Sequence, residues 1–148
     1  MEPTKPTILL IDDEEAIRMA MQRWLTRRGW NVVASANGQD ALEMLEAPDA
    51  EACYDAILCD LRMPGISGVQ LHNWLDETRP ALHARLILAT GDVASGEIAR
   101  FLSTVTCPVL EKPFDFALLS NALDTVRFRS AQLSEANRPD ESPQTHRP

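Results

Sequence analysis

Five short apolar runs recur along the chain, and each is followed by a segment that reads as helical. Ile8-Leu9-Leu10-Ile11 has no polar interruption and ends in acids, the pattern of a strand covered on both faces of a parallel sheet. Over residues 14–28, Ile17, Met21, Trp24 and Leu25 share one helical face, and Gly29 supplies the stop. Residues 31–34 predict a second strand. Asn37-Gly38 then turns the chain into a helix carrying Ala41, Leu42 and Leu45, which ends before Pro48. Ala56-Ile57-Leu58-Cys59 predicts a third strand ending in Asp60, and Ser67 caps a helix with Leu71, Trp74 and Leu75 that ends before Pro80. Leu86-Ile87-Leu88-Ala89 predicts a fourth strand, residues 95–103 a helix, and Pro108-Val109-Leu110 a fifth strand. Asp115 caps a last helix with Leu119, Leu123 and Val126 on one face.

Such alternation predicts an α/β fold, a parallel sheet with helices on both faces joined by right-handed crossovers. The chain has 148 residues, enough for one domain. Residues 1–6 and 130–148 are poor in large apolar side chains and rich in proline. They read as disordered tails, the second as a tail or a truncated linker, around a domain at 7–129. The net charge of −8 argues against a general nucleic-acid binder. No apolar run approaches the ~20 residues that span a bilayer, so no membrane association is expected. The N-terminal residues lack the apolar core of a secretion signal. Cys53, Cys59 and Cys107 form no CxxC and read as reduced, small buried hydrophobes of a cytoplasmic protein. Neither GxGxxG nor GxxxxGK[ST] occurs, so the two familiar phosphate-cradling loops are absent.

In an open α/β sheet the ligand sits beyond the carboxyl ends of the strands. There the first strand delivers Asp12 and Asp13, the third Asp60, the fourth Thr90 and the fifth Lys112. Crowded carboxylates repel one another unless a cation sits among them. Hard oxygen donors without His or Cys suit Mg²⁺, with Mn²⁺ as an alternative. A carboxylate can also act as a nucleophile toward phosphorus, and a metal, an ammonium and a hydroxyl are the groups its phosphoryl oxygens need. Glu14 and Glu15 read as first-turn acids favouring the helix dipole. Trp24, Trp30 and Trp74 read as packing residues. His72, His83 and His146 lack mutual spacing for metal or catalysis and read as surface residues.

Together these residues resemble the receiver domain of bacterial two-component response regulators. The matching pieces are ILLIDDE (8–14), NGQDAL (37–42), DLRMPGISG (60–68), LILATG (86–91) and PVLEKPF (108–114). The resemblance implies a flavodoxin-like, doubly wound five-stranded sheet of order 2-1-3-4-5. It implies Asp60 as phosphoacceptor, with Thr90 and Lys112 contacting phosphoryl oxygens. It implies Mg²⁺ held by Asp12, Asp13, Asp60 and the backbone carbonyl of Arg62, and a cis bond between Lys112 and Pro113. The implied partners are a sensor histidine kinase or histidine phosphotransferase and a downstream protein that reads residues 95–127. In many family members an aromatic residue stands three positions before the lysine; here that position is Val109.

The function expected is therefore a phosphoacceptor module of a phosphorelay. It is not a turnover enzyme, since it supports only its own Mg²⁺-dependent phosphorylation and dephosphorylation. Two alternatives are a degenerate receiver that acts as a phosphorylation-independent scaffold and a phosphohydrolase with an aspartyl nucleophile. The hydrolase needs a second carboxylate to activate the leaving group, and the adjacent acids here lie on a different strand from Asp60.

Overall fold

The computed structural model describes residues 4–92 and 96–136. Its elements run β1 (Thr7–Ile11), α1 (Glu15–Arg27), β2 (Asn31–Ser35), α2 (Gly38–Glu46), α3 (Ala50–Cys53) and β3 (Ala56–Asp60). They continue with α4 (Gly68–Thr78), α5 (Pro80–His83), β4 (Leu86–Thr90), α6 (Gly96–Leu102), β5 (Val109–Glu111) and α7 (Phe116–Ala136). The five strands form one sheet of order β2-β1-β3-β4-β5, all neighbours parallel.

Side chains alternate across a strand, so the unbroken apolar runs feed two cores. Leu9, Ile11, Ile57, Cys59 and Leu88 face one side, where α2, α4, α5 and α6 contribute Leu45, Leu71, Leu75, Leu82 and Ile98. Ile8, Leu10, Leu58, Ile87 and Leu110 face the other, against Met21 and Leu25 of α1 and Leu119, Leu123 and Val126 of α7. The sheet is thus sealed on both faces, and its chemistry is left to its edges and ends.

Local signals account for most boundaries. Gly29 adopts a φ of +90° just past α1, which a side chain would resist. Asn37 accepts a hydrogen bond from Asp40 N at the start of α2. At the start of α4, Ser67 and Gln70 form a capping box. Gly68 follows, and its amide donates to Leu61 O at 2.9 Å. A Cβ on Gly68 would collide with the carbonyl of Asp60 and the Cα of Leu61, so only glycine lets α4 close against the end of β3.

Four sequence expectations need correction. The short helices α3 and α5 were not expected, because four residues each hold too little of a turn to show periodicity. Helix α7 runs to Ala136, past the expected domain end at residue 129. Side-chain hydrogen bonds, invisible to an apolar count, hold that stretch: Arg85 Nε donates to Ser130 Oγ at 3.0 Å and Arg129 Nη1 to Thr106 O at 2.8 Å. Arg85 Nη1 also donates to Glu51 O and Tyr54 O, both at 2.6 Å, tying the foot of α7 to α3. Finally, His72 is buried rather than on the surface, and Cys53 is exposed rather than buried. Cys59 and Cys107 are buried free thiols, as expected. The rest of the C-terminal tail, 137–148 with His146, and residues 1–3 lie outside the described residues.

Candidate functional site

The sheet ladder continues one residue past the strands, and this places the site. Asp12 N donates to Ser35 O at 3.1 Å, Leu61 N to Ala89 O at 2.9 Å, and Lys112 N to Thr90 O at 2.8 Å. The backbone of β1, β3, β4 and β5 is therefore pinned where it presents Asp12, Asp60, Thr90 and Lys112. Carboxylate oxygens of Asp12, Asp13 and Asp60 lie within 4.8 Å of one another. Asp12 is 2% exposed and Asp60 7%, whereas Asp13 is open to solvent.

Lys112 reaches into this cluster. Its Nζ lies 2.9 Å from Asp12 Oδ2, 3.3 Å from Asp60 Oδ2 and 3.5 Å from Glu14 Oε1. The Lys112-Pro113 peptide is cis, as the resemblance implied. Backbone amides share the work: Glu14 N donates to Asp12 Oδ1 at 2.9 Å and Arg62 N to Asp60 Oδ1 at 3.4 Å. Arg18 Nη1 donates to Asp12 O at 2.7 Å. Glu14 is thus more than a helix-dipole acid; it stands at the N-cap position of α1 and adds a third charge around Lys112.

Thr90 is brought to the site but not onto Asp60. Its buried hydroxyl accepts from Asp92 N at 3.1 Å and donates to Asp92 O at 3.4 Å. Asp92 also pairs with the Arg62 side chain, Nη2 to Oδ2 at 2.8 Å, across the mouth of the site. Sequence reading missed Asp92; its only signal was a place two residues after the strand-end threonine. A cleft of about 590 Å³ opens beside the acids, walled by Ile17 and Met21 of α1 and by Phe114 and Phe116.

Burial, and then the charge of Asp12, push the Asp60 carboxyl above its ordinary range; Lys112 and the Arg62 amide pull the other way without cancelling this. Burial also works against charged Lys112, but the hydrogen bond to Asp12 and the charges of Asp60 and Asp12 outweigh it and hold its pKa up. Burial drives the Cys59 thiol far up, with Asp60 and Asp12 adding to it, so this sulfur stays protonated. The site therefore holds an excess of negative charge that one ammonium does not neutralise. Buried hard oxygens with unspent charge suit a divalent cation such as Mg²⁺.

One consequence can be measured without metal. A carboxyl whose folded pKa is raised favours the proton-bound form when folded, so stability is lost as pH climbs through that pKa. Asp60→Asn, which cannot ionise, is expected to be more stable than the parent by about 1 kcal/mol at pH 7 in EDTA. The gap closes below the ordinary carboxylate value of 3.8. Chemical denaturation at pH 7 and pH 3.5 reads this directly; a less stable Asp60→Asn at pH 7 would contradict the excess-charge description.

Comparisons with known proteins agree with this architecture. The sequence profile described as "Response regulator receiver domain" matches residues 8–124. The chain is 30% identical over 136 residues to the response regulator MprA of Mycobacterium sp. (strain KMS), covering 92% of this chain and 54% of that protein. It is 31% identical over 117 residues to the sensor kinase CckA of Brucella abortus (strain 2308), covering 79% of this chain and 12% of that one. The chain thus spans at most about half the length of these relatives. Among solved structures, a response regulator receiver protein from Sinorhizobium medicae WSM419 superposes with a TM-score of 0.71 at 30% identity, covering 85% of this chain and 97% of that chain. A CheY-like receiver domain protein from Methanospirillum hungatei JF-1 superposes with a TM-score of 0.73 at 24% identity, covering 87% of this chain and 99% of that chain. The sheet order and the profile match place this chain in the family of response regulator receiver domains.

Proposed function

We propose that the chain is a phosphoacceptor module of a two-component phosphorelay, with Asp60 as the acceptor. The observation that carries this reading is the setting of Asp60, a buried carboxylate within reach of a fixed ammonium and two further carboxylates. An Asp60 oxygen attacks the phosphorus of a phosphohistidine on a sensor kinase or histidine phosphotransferase. The phosphorus–nitrogen bond breaks, its electron pair returns to the imidazole, and a phosphorus–oxygen bond forms. The Arg62 amide holds the other Asp60 oxygen and so orients the nucleophile. Lys112 shifts from pairing with carboxylates to pairing with phosphoryl oxygens. Thr90, released from Asp92, donates to another.

Mg²⁺, or Mn²⁺ in its place, suits the clustered carboxylates of Asp12, Asp13 and Asp60, which with the Arg62 carbonyl that the resemblance implies would hold it, and the ion would supply positive charge to the phosphoryl oxygens. The apolar-walled cleft beside Asp60 is wide enough to admit a partner's imidazole. On this reading the output is a protein-binding surface on α6, β5 and α7, within residues 95–127, and direct nucleic-acid or membrane binding is no part of it. Among the described residues no helix is long and apolar enough to cross a membrane. Free thiols at Cys59 and Cys107 accord with a cytoplasmic site of action.

The test is intact-mass analysis after treatment with acetyl phosphate or a phosphorylated kinase. One phosphoryl addition per chain, dependent on Mg²⁺, supports the reading. Steady turnover of a small phosphoester would favour a hydrolase, and no addition from any donor would favour a scaffold. A separate check concerns the metal. At ten times its dissociation constant, Mg²⁺ is expected to add about 1.4 kcal/mol of stability. Thermal melts show this as a rise in Tm that Asp13→Asn removes; a rise that survives Asp13→Asn would put the ion elsewhere.

A further inference from the structure

His72 of α4 and His83 of α5 are eleven residues apart in sequence, yet their Nε2 atoms meet at 3.1 Å. His72 is only 7% exposed. Its ring is held edge-on by Phe101 of α6, centroid to centroid 5.0 Å, and its Nδ1 lies 3.0 Å from Asn73 Oδ1. An amide oxygen only accepts, so that contact assigns the proton of His72 to Nδ1 and leaves the Nε2 lone pair free to bind. In the structure as it stands, His83 Nε2–H donates to that lone pair. Locking one imidazole nitrogen by a hydrogen bond while aiming the other outward is the arrangement seen around metal-ligating histidines.

We propose that His72 and His83 form a second cation site, separate from the acidic cluster, for a borderline divalent ion such as Zn²⁺ or Ni²⁺. With metal–nitrogen bonds of about 2.0–2.1 Å, two ligands in neighbouring positions stand about 2.9–3.4 Å apart, which matches the observed spacing. The ion replaces the shared proton: His83 gives up its Nε2 hydrogen to solvent and takes one up on Nδ1, so both rings ligate as neutral imidazoles through their Nε2 lone pairs. Imidazole nitrogen selects such ions over Mg²⁺, which prefers the hard oxygens at the other site. Asp76 lies one turn after His72 on α4 and provides the counter-charge, and water completes the coordination. The charged and titratable groups around His83 are His72, Asp76 and Arg129. Burial, the neighbouring His72 and Arg129 together outweigh Asp76 and keep His83 neutral at physiological pH, ready to ligate. Arg129 also opposes the ion, although its Nη1 is held by Thr106 O. Bound metal would clip α4 to α5 beside α6 without touching Asp60.

The test uses the full chain without a polyhistidine tag, with excess Mg²⁺ present to occupy the acidic cluster. Zn²⁺ is titrated by calorimetry at pH 7.5 and followed by the imidazole proton resonances. One Zn²⁺ per chain is expected, shifting the His72 and His83 signals together. His83→Gln, a half-buried position at which folding is checked by circular dichroism, is expected to weaken binding at least about tenfold. Asp13→Asn and His146→Gln are expected to change it less than about twofold, and binding is expected to fall at pH 5.5 because both rings must be unprotonated. Unchanged affinity in His83→Gln, loss of binding in Asp13→Asn, or unmoved His72 and His83 signals would each overturn the site.

Discussion

Asp60→Asn is expected to abolish phosphoryl acceptance altogether. On the proposed reading the wild-type chain is expected to gain one phosphoryl group from acetyl phosphate with Mg²⁺, and the variant none. An amide has almost the volume of a carboxylate and can accept the same Arg62 hydrogen bond, so the fold and the cleft are retained. What it lacks is the anionic lone pair that must form the new bond to phosphorus. Neighbouring acids cannot substitute. Asp12 is held by Lys112 and the Glu14 amide, and Asp13 faces solvent. Intact mass and peptide mapping measure the result. A persistent addition in Asp60→Asn would move the acceptor elsewhere and undo the reading of the site.

Removing the ammonium is expected to act in the opposite sense on stability. Lys112→Met should cost about 2–4 kcal/mol at pH 7 without divalent metal, because it leaves Asp12 and Asp60 buried with no counter-charge. The loss cannot grow much further, since one carboxyl can take up a proton instead. In the parent the raised pKa of Lys112 means that its stabilisation is complete at neutral pH and fades only in alkali, as pH rises through that pKa. Mg²⁺ is expected to narrow the gap between variant and parent, since it replaces the missing positive charge. Urea denaturation with and without Mg²⁺ measures both effects. Equal stability of variant and parent in EDTA would show that the acids do not depend on Lys112. Asp60→Asn and Lys112→Met thus shift the same ion pair in opposite directions, which is the mark of a site with surplus negative charge.

The sheet was legible in the sequence because its three central strands are buried on both faces, so their apolar runs are unbroken and the polar residue that ends each run marks the site edge. Asp12, Asp60, Thr90 and Lys112 could be placed together on that basis, and the structure has them there. What the sequence hid depends on side-chain direction or on very short elements. Whether Thr90 turns toward Asp60 or toward Asp92 is a rotamer choice with no periodic trace. Glu14 looked like any first-turn acid until β5 brought Lys112 to it. His72 and His83 sit on separate helices, and only the turn at Arg79, whose amide donates to Leu75 O at 2.8 Å, folds α5 back so that they meet. The helical end of α7 beyond residue 129 rests on Arg85 and Arg129, whose hydrogen bonds cross from distant segments.

That fastening makes α7 a lever. Arg85 grips Ser130, so the helix has its fulcrum near its foot, while its other end begins at Phe116, four residues after Lys112. The long arm from 116 to 130 measures about 21 Å and the short arm from 130 to 136 about 9 Å. A shift of about 1 Å at Phe116 would tilt a rigid rod by about 3° and swing Ala136 about 0.4 Å the opposite way. Such a motion would be reduced and reversed at the far end and largest at the start of α7, where Phe116 stacks on Trp24 with ring centroids 4.8 Å apart. On the proposed reading, the part of the helix that would move most is the part sharing a cleft with Asp60, and a partner gripping α7 there would sense the shift at full amplitude.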